Sequence, residues 1–446
     1  MSKIRLFGTS SGYVEIAPAA TASNNTLTAP STVGEIIAKD AAGAIGVTSV
    51  HTTNITATGI ATITTAKIGA GVTISESGID ASGVGVTCAN LNRSQIGGRR
   101  NIVINGAMQV AQRATTSTTS GYSTVDRFQN IHVNTDEAPT QERASVSSSD
   151  TPYRLGFTKS YKITNGNQTG GAAANSTCIV DYRIESQDLR HCSWNFKDST
   201  ENIVLSYWVK ASVAQTYYVR VYTGDNPSQA YTFGYALSAN TWTKIVHKIP
   251  GHSNIVFDDD NGIGMIIRWY QYRGTDYTDN SVTLNQWRSH NSSQNTPDQT
   301  TTWYTTNDAT WEITGVQLEA GDEATPFEHR SYAEEIQLCM RYCQKIFNAQ
   351  LIGTMNTSTR MRIMANFTVP MRGTPSYTRT SNNLSFQIAA SNENSSNTTE
   401  AQGGATATAE GNSYARTWDF GGFSTLSDRS FIGGNGGHVF TLDGEL

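Results

Sequence analysis

Trp311 to Lys345, WEITGVQLEAGDEATPFEHRSYAEEIQLCMRYCQK, takes the chain from a strand through a polar loop into a helix. Trp311 and Ile313 alternate with polar neighbours, and beyond Gly315 the apolar positions change phase to Val316 and Leu318. Strand side chains alternate between faces, so a change of phase marks one extra residue, and Gly315 is the expected bulge. After Pro326, Ser331 is followed three places later by Glu334. At that spacing a hydroxyl and a carboxylate satisfy orphan amides of a first helical turn, so a helix is expected to start there. Tyr332, Ile336, Cys339, Cys343 and Ile346 then recur every three or four residues. They predict one amphipathic helix over 331–348, its apolar stripe docked on the sheet that holds the preceding strand.

Upstream the period is that of strands. Ile203, Leu205, Tyr207 and Val209 alternate with Val204, Ser206, Trp208 and Lys210; Tyr217, Val219 and Val221 alternate with Tyr218, Arg220 and Tyr222. Met265, Ile267 and Trp269 stand opposite Ile266, Arg268, Tyr270 and Tyr272, and Ile245, His247 and Ile249 suggest a further strand. Short alternating runs separated by turn signals predict a jelly-roll-like β-sandwich over 99–330, of the kind used by carbohydrate-binding modules. At 446 residues the chain is long enough for two to four units. Only 15% of residues are charged and the net charge is −5. That balance offers no basic surface to neutralise phosphates, which argues against nucleic acid as a partner. No segment has the roughly 20 apolar residues needed to span a bilayer, and the amino terminus lacks the apolar core of a signal peptide. Assembly in a cytoplasm without membrane insertion is expected. Cysteines stand at 88, 178, 192, 339 and 343 without a CxxC pair, so buried free thiols are expected rather than a metal site.

Two stretches resemble a known family. Ile313 to Lys345, and upstream Arg100 to Arg113 (RNIVINGAMQVAQR) with Tyr122 and the Asp126-Arg127-Phe128 triplet, are similar to signatures that bracket a module of phage tail fibres and related virion proteins. Ser11 to Glu35, SGYVEIAPAATASNNTLTAPSTVGE, resembles an amino-terminal segment of fibres from phages of marine and cyanobacterial hosts, with Ala29 where a leucine is usual. The resemblance implies that residues 1–50 are a virion-attachment segment at the virion-proximal end, binding tail or baseplate proteins; a disordered leader is the alternative. His51 to Leu91 is almost free of charge, and Ile55, Ile60, Ile63, Ile68, Val72, Ile74, Ile79, Val84 and Val86 recur among Thr, Ser and Gly. One copy cannot bury those side chains alone, whereas three copies wound together could, so a thin trimeric β shaft is expected over 51–98, with a flexible linker as the alternative. Asn92 to Arg100, with its Gly-Gly pair, reads as a hinge. Beyond the helix, Arg360–Val369 and Leu384–Ala389 read as strands of a small distal β-domain over 349–446, with 390–409 as a long tip or binding loop. The fold class expected is therefore mainly β.

Sugars are bound by flat aromatic rings against apolar ring faces, with Arg, Asn, Asp and Gln bonding the hydroxyls. Trp208, Tyr218, Arg220, Tyr222, Arg268, Tyr270 and Tyr272 supply those groups on one mixed face, and Trp287, Trp303, Tyr304 and Trp418 form a rival ring. Packing beneath a second layer or a neighbouring subunit is the competing role for any of them. Asp258, Asp259 and Asp260 before Asn261 and Gly262 do not match the spacing of a calcium loop and read as a turn. There is no GxSxG, HExxH, phosphate loop or dinucleotide fingerprint, and no cofactor or metal is expected. The function these observations anticipate is a homotrimeric, non-catalytic virion fibre that adsorbs to host surface polysaccharide or lipopolysaccharide. A virion-bound polysaccharide depolymerase and a purely structural head or tail decoration are the alternatives.

Overall fold

The computed structural model describes residues 99–347, 352–357, 360–379, 385–388, 415–421, 432–435 and 439–446, together with five short strands nearer the amino terminus. The chain divides into two compact units, Met1–Thr87 and Cys88–Leu446. In the first, Ile4–Phe7 pairs antiparallel with Tyr13–Ile16, and Thr65–Ile68, Val72–Ser75 and Gly78–Asp80 form an antiparallel three-stranded sheet. The side chains of the expected shaft and the whole of 390–409 lie outside the described residues.

The second unit is built on a sandwich of two six-stranded antiparallel sheets. One runs Trp287–Ser289, Gln229–Leu237, Gln215–Thr223, Ile263–Arg273, Thr177–Glu185 and Phe128–Val133 in spatial order. The other runs Thr243–Pro250, Asn202–Ala211, Thr310–Ala320, Lys159–Thr164, Thr140–Ser145 and Thr116–Ser117. Alternation decides which residues meet between the sheets. Ile203, Leu205, Tyr207 and Val209 join Tyr217, Val219, Val221, Met265, Ile267, Trp269, Trp311 and Ile313 in one core. Gly315 has φ of +63°, and the pairing register with the Asn202–Ala211 strand shifts between Ser206 and Trp208, so the phase change in the sequence is a bulge. A Cβ on Gly315 would come within 2.8 Å of the Phe157 ring, so only glycine fits both the conformation and the space.

The two signature stretches interlock. Asn101 donates to the Val316 carbonyl (3.1 Å) and accepts from the Leu318 amide (3.1 Å), while Val316 N–H donates to the Gly106 carbonyl (2.9 Å). Glu328 receives the amides of Arg100 and Asn101 at 2.6 and 2.7 Å, and Arg330 donates to the Val103 carbonyl at 3.1 Å. The Ile102–Gly106 run therefore lies along the Thr310–Ala320 strand, the Ile102 amide donating to the Leu318 carbonyl and the Gly106 carbonyl accepting from Val316, while the Ile104 amide donates to the Tyr182 hydroxyl.

The helix starts where the capping pattern placed it, with Ser331 Oγ accepting from the Glu334 amide at 3.2 Å. It ends at Met340, however, and the expected continuation to 348 is corrected: Cys343–Phe347 is a strand pairing with Val439–Asp443, which pairs in turn with Ser376–Arg379. The break lies at Arg341-Tyr342. Arg341 makes a bidentate pair with buried Glu185 at 2.7 Å on both nitrogens, and the Tyr342 hydroxyl donates to the same carboxylate. Arg127 lies 3.4 Å above the Tyr342 ring and meets Glu445. A helix continuing through Cys343 would forfeit both the pairing with 439–443 and these contacts. Tyr332, expected on the apolar stripe, is 58% exposed. Cys339 and Tyr342 instead pack with Ile104 and Val110. The last residues also return to the sandwich unit: Gly444 N–H donates to the Tyr342 carbonyl (2.8 Å), and Glu445 reaches Arg113 (3.3 Å). Cys178, Cys192, Cys339 and Cys343 are free thiols; burial pushes Cys178 up to about 12 and Cys192 up to about 11.

Candidate functional site

The outward positions of the first sheet build the site. Pairing places Tyr218 beside Gly234 on one side and Tyr270 on the other, Arg220 between Thr232 and Arg268, and Tyr222 between Ala230 and Ile266. The missing Cβ at Gly234 matters. One built there would approach the Tyr218 ring to 3.2 Å, so the half-exposed Tyr218 ring leans over the neighbouring strand. Tyr222 is bracketed by cations, with the guanidinium carbons of Arg220 and Arg268 at 5.1 and 5.4 Å from its ring centre, and the His290 ring lies tilted against it at 5.0 Å. Arg273 lies 3.6 Å over the Tyr277 ring and donates to Thr177 at 2.6 Å.

The polar partners divide these arginines. Arg268 forms a two-pronged pair with Asp181, 2.6 Å to each oxygen, and Asp181 holds its charge on despite the burial that opposes it. Arg220 meets neutral groups: Asn295, the Asn291 carbonyl at 3.1 Å and the His290 ring at 3.0 Å. Arg288 donates to the carbonyls of Gln294 and Asn295. Burial, with a neighbouring guanidinium in each case, pulls Arg220, Arg273 and Arg288 below their ordinary value, and burial together with Arg220, Arg268 and Arg288 lowers His290 to about 4.

Of the residues the sequence singled out, Tyr218, Arg220, Tyr222, Arg268 and Tyr270 share this face. Tyr272 does not: a register shift opposite Cys178 and Ile179 turns it into the core, where it packs 4.7 Å from Tyr304. Trp303 and Tyr304 are also core residues, the indole donating to the Thr310 carbonyl at 3.1 Å. Trp287 packs against Tyr231 and donates to the Pro250 carbonyl. The side chain of Trp418 lies outside the described residues. Thus the rival ring of loop aromatics is not assembled by Trp287, Trp303 and Tyr304. Trp208 lies on the outer face of the other sheet, beside a cavity of about 410 Å³ that it lines with Phe157, Lys244, Pro326, Phe327 and His329. Phe157, Phe327 and His329 pack with ring centres 4.9 to 5.2 Å apart.

Asp181, Arg273, Tyr277, Arg288 and His290 were not legible as site residues. Their strands or loops gave no periodic signal connecting them to Tyr222. Asp258, Asp259 and Asp260 form the expected turn, Asp260 accepting from the Gly262 amide at 2.8 Å.

Fold and site together describe an antiparallel β-sandwich with an aromatic and arginine-rich outer face. No protein-family model and no curated protein matches the chain. Solved structures with some likeness include one described as CBM4, at 10% identity and TM-score 0.24, covering 48% of this chain and 97% of that one. Another is the family 11 carbohydrate-binding module of a cellulosomal cellulase of Clostridium thermocellum, at 10% identity and TM-score 0.23, covering 47% and 96%. A third is the tandem CBM22 domain of a Paenibacillus barcinonensis protein, at 8% identity and TM-score 0.24, covering 80% and 92%. At these scores nothing is carried over from them to this chain.

Proposed function

We propose that this protein is a non-catalytic glycan-binding fibre of a phage virion, with the outer face around Tyr218 and Tyr222 as its contact surface. The observation that carries the reading is a pair of partly buried tyrosine rings on one sheet, Tyr218 and Tyr222, with guanidinium groups beside Tyr222. Rings of that kind accept the apolar face of a sugar, and the surrounding donors bond its hydroxyls. Because the rings stand on paired strands, little conformational entropy is lost when a sugar docks. Asp181, the carboxylate beside Tyr222, is committed to Arg268, which suits a binding role better than acid–base chemistry. The virion assignment is supported by the fibre-like signatures at 100–113 and 313–345, and the trimer by the shaft-like pattern of 51–98. Three weak sites on one shaft, multiplied over several fibres, would convert modest affinity into stable adsorption.

The test is adhesion of the full chain to bacterial cells before and after periodate oxidation of surface glycans, with the supernatant assayed for released saccharide. Periodate-sensitive binding without release supports the reading. Released saccharide would make the protein a depolymerase, and periodate-insensitive binding to virion proteins alone would make it a structural decoration.

A further inference from the structure

The outer face around Tyr222 carries more positive charge than its partners neutralise. Arg220, Arg268 and Arg288 gather there, Arg273 stands further along the same face over Tyr277, and of the nearby carboxylates Asp181 is engaged by Arg268 while Asp279 lies by Arg288. The Nε–H groups of Arg273 and Arg288 have no hydrogen-bond partner among the described residues. Arg273 and Arg288 are partly exposed, and a ligand bearing an oxyanion would neutralise charge that the protein itself leaves uncompensated there. Neutral sugar hydroxyls would supply acceptors but no charge.

Resting on the reading of this face as a glycan surface, we infer that its ligand is an acidic glycan, whose carboxylate, sulfate or phosphate is received by the arginines beside Tyr222 and Tyr277. Guanidinium forks match planar and tetrahedral oxyanions in paired hydrogen bonds, which a hydroxyl cannot reproduce. The net charge of −5 makes the cluster a local attraction on a chain that otherwise repels polyanions, so selectivity comes from the cluster and weakens with salt.

The test uses the full chain against three matched pairs of polysaccharides: polygalacturonate and its methyl ester, dextran sulfate and dextran, phosphomannan and mannan. Binding to a charged member and not to its neutral partner is expected, and the pair that responds separates carboxylate from sulfate and phosphate. Arg273→Gln and Arg288→Gln should each weaken that binding roughly tenfold, the worth of one charged hydrogen bond, with thermal melting confirming a folded chain. Two results overturn the acidic assignment while leaving glycan binding in place: equal binding to charged and neutral members, or charged binding that neither folded variant weakens. No binding to any of the six, together with no periodate-sensitive adhesion to cells, would remove the glycan reading itself.

Discussion

Tyr218 stands where the glycan reading is most exposed to test. Its ring leans over Gly234 and is half-buried, so Tyr218→Ala removes a stacking surface without opening the core. Affinity for the bound polysaccharide should fall by about tenfold, near 1.4 kcal/mol, while the melting temperature stays close to that of the parent; isothermal titration and calorimetry read the two quantities separately. His247 offers a stability test of a different kind. It stacks 3.7 Å above Phe233, nearly parallel, and burial lowers it to about 4. The unfolded chain takes up that proton near pH 6.5 and the folded chain does not until about 4, so the unfolded state binds more protons in between. Stability from this group is present above 6.5 and is lost as pH falls towards 4. Chemical denaturation from pH 7 to 4 should therefore show the parent losing stability relative to His247→Phe, and a gap that does not change with pH would refute the account. Tyr218, Tyr222 and Tyr270 were legible as alternating residues of strands. Arg288 and His290 were not, because the strand that carries Arg288 is only three residues long and the loop after it follows no period, and Arg273 was not, because it ends its strand beyond the register shift.

At the scale of elements, the Thr310–Ala320 strand and its bulge hold the fold together. Gly315 combines a left-handed backbone with contact on Phe157, so Gly315→Ala adds a strained conformation to an overpacked one. The expected cost is roughly 2–4 kcal/mol, measured as a shift of the denaturant midpoint, and a shift near zero would mean that Phe157 moves aside freely. The capped start of the helix and the bulge were both readable, since each depends on residues within four positions. The helix end was not, because Arg341 and Tyr342 turn towards Glu185 and Arg127, and Cys343 pairs with Asp443. Those partners are distant in sequence, and a local stripe of apolar residues cannot announce them. The fibre-like signatures themselves serve this joint: Asn101 spends its side-chain amide on the backbone of Val316 and Leu318, and Glu328 and Arg330 spend their side chains on the backbone of residues 100–103. They identify a scaffold rather than a ligand.

For the whole molecule, the shaft pattern of 51–98 predicts assembly. Sedimentation of the full chain should give three copies, and removal of Met1 to Gly98 should give single copies that remain folded. A monomeric full chain would refute the trimer. Average composition misled in one respect at this scale. A net charge of −5 argues against a basic surface, yet four arginines converge on one face, because the strand register and the loops around Asn295 bring together charges that are scattered along the chain.

The sequence by itself determined the β class, the two-faced strands, the bulge at Gly315 and the start of the helix, all of which follow from periods and caps acting over a few residues. Only the tertiary structure decided which aromatics face solvent, where the helix stops and how the arginines group. A register shift of one residue sent Tyr272 inward while Tyr270 stayed on the arginine face, and such shifts are settled by pairing between distant strands.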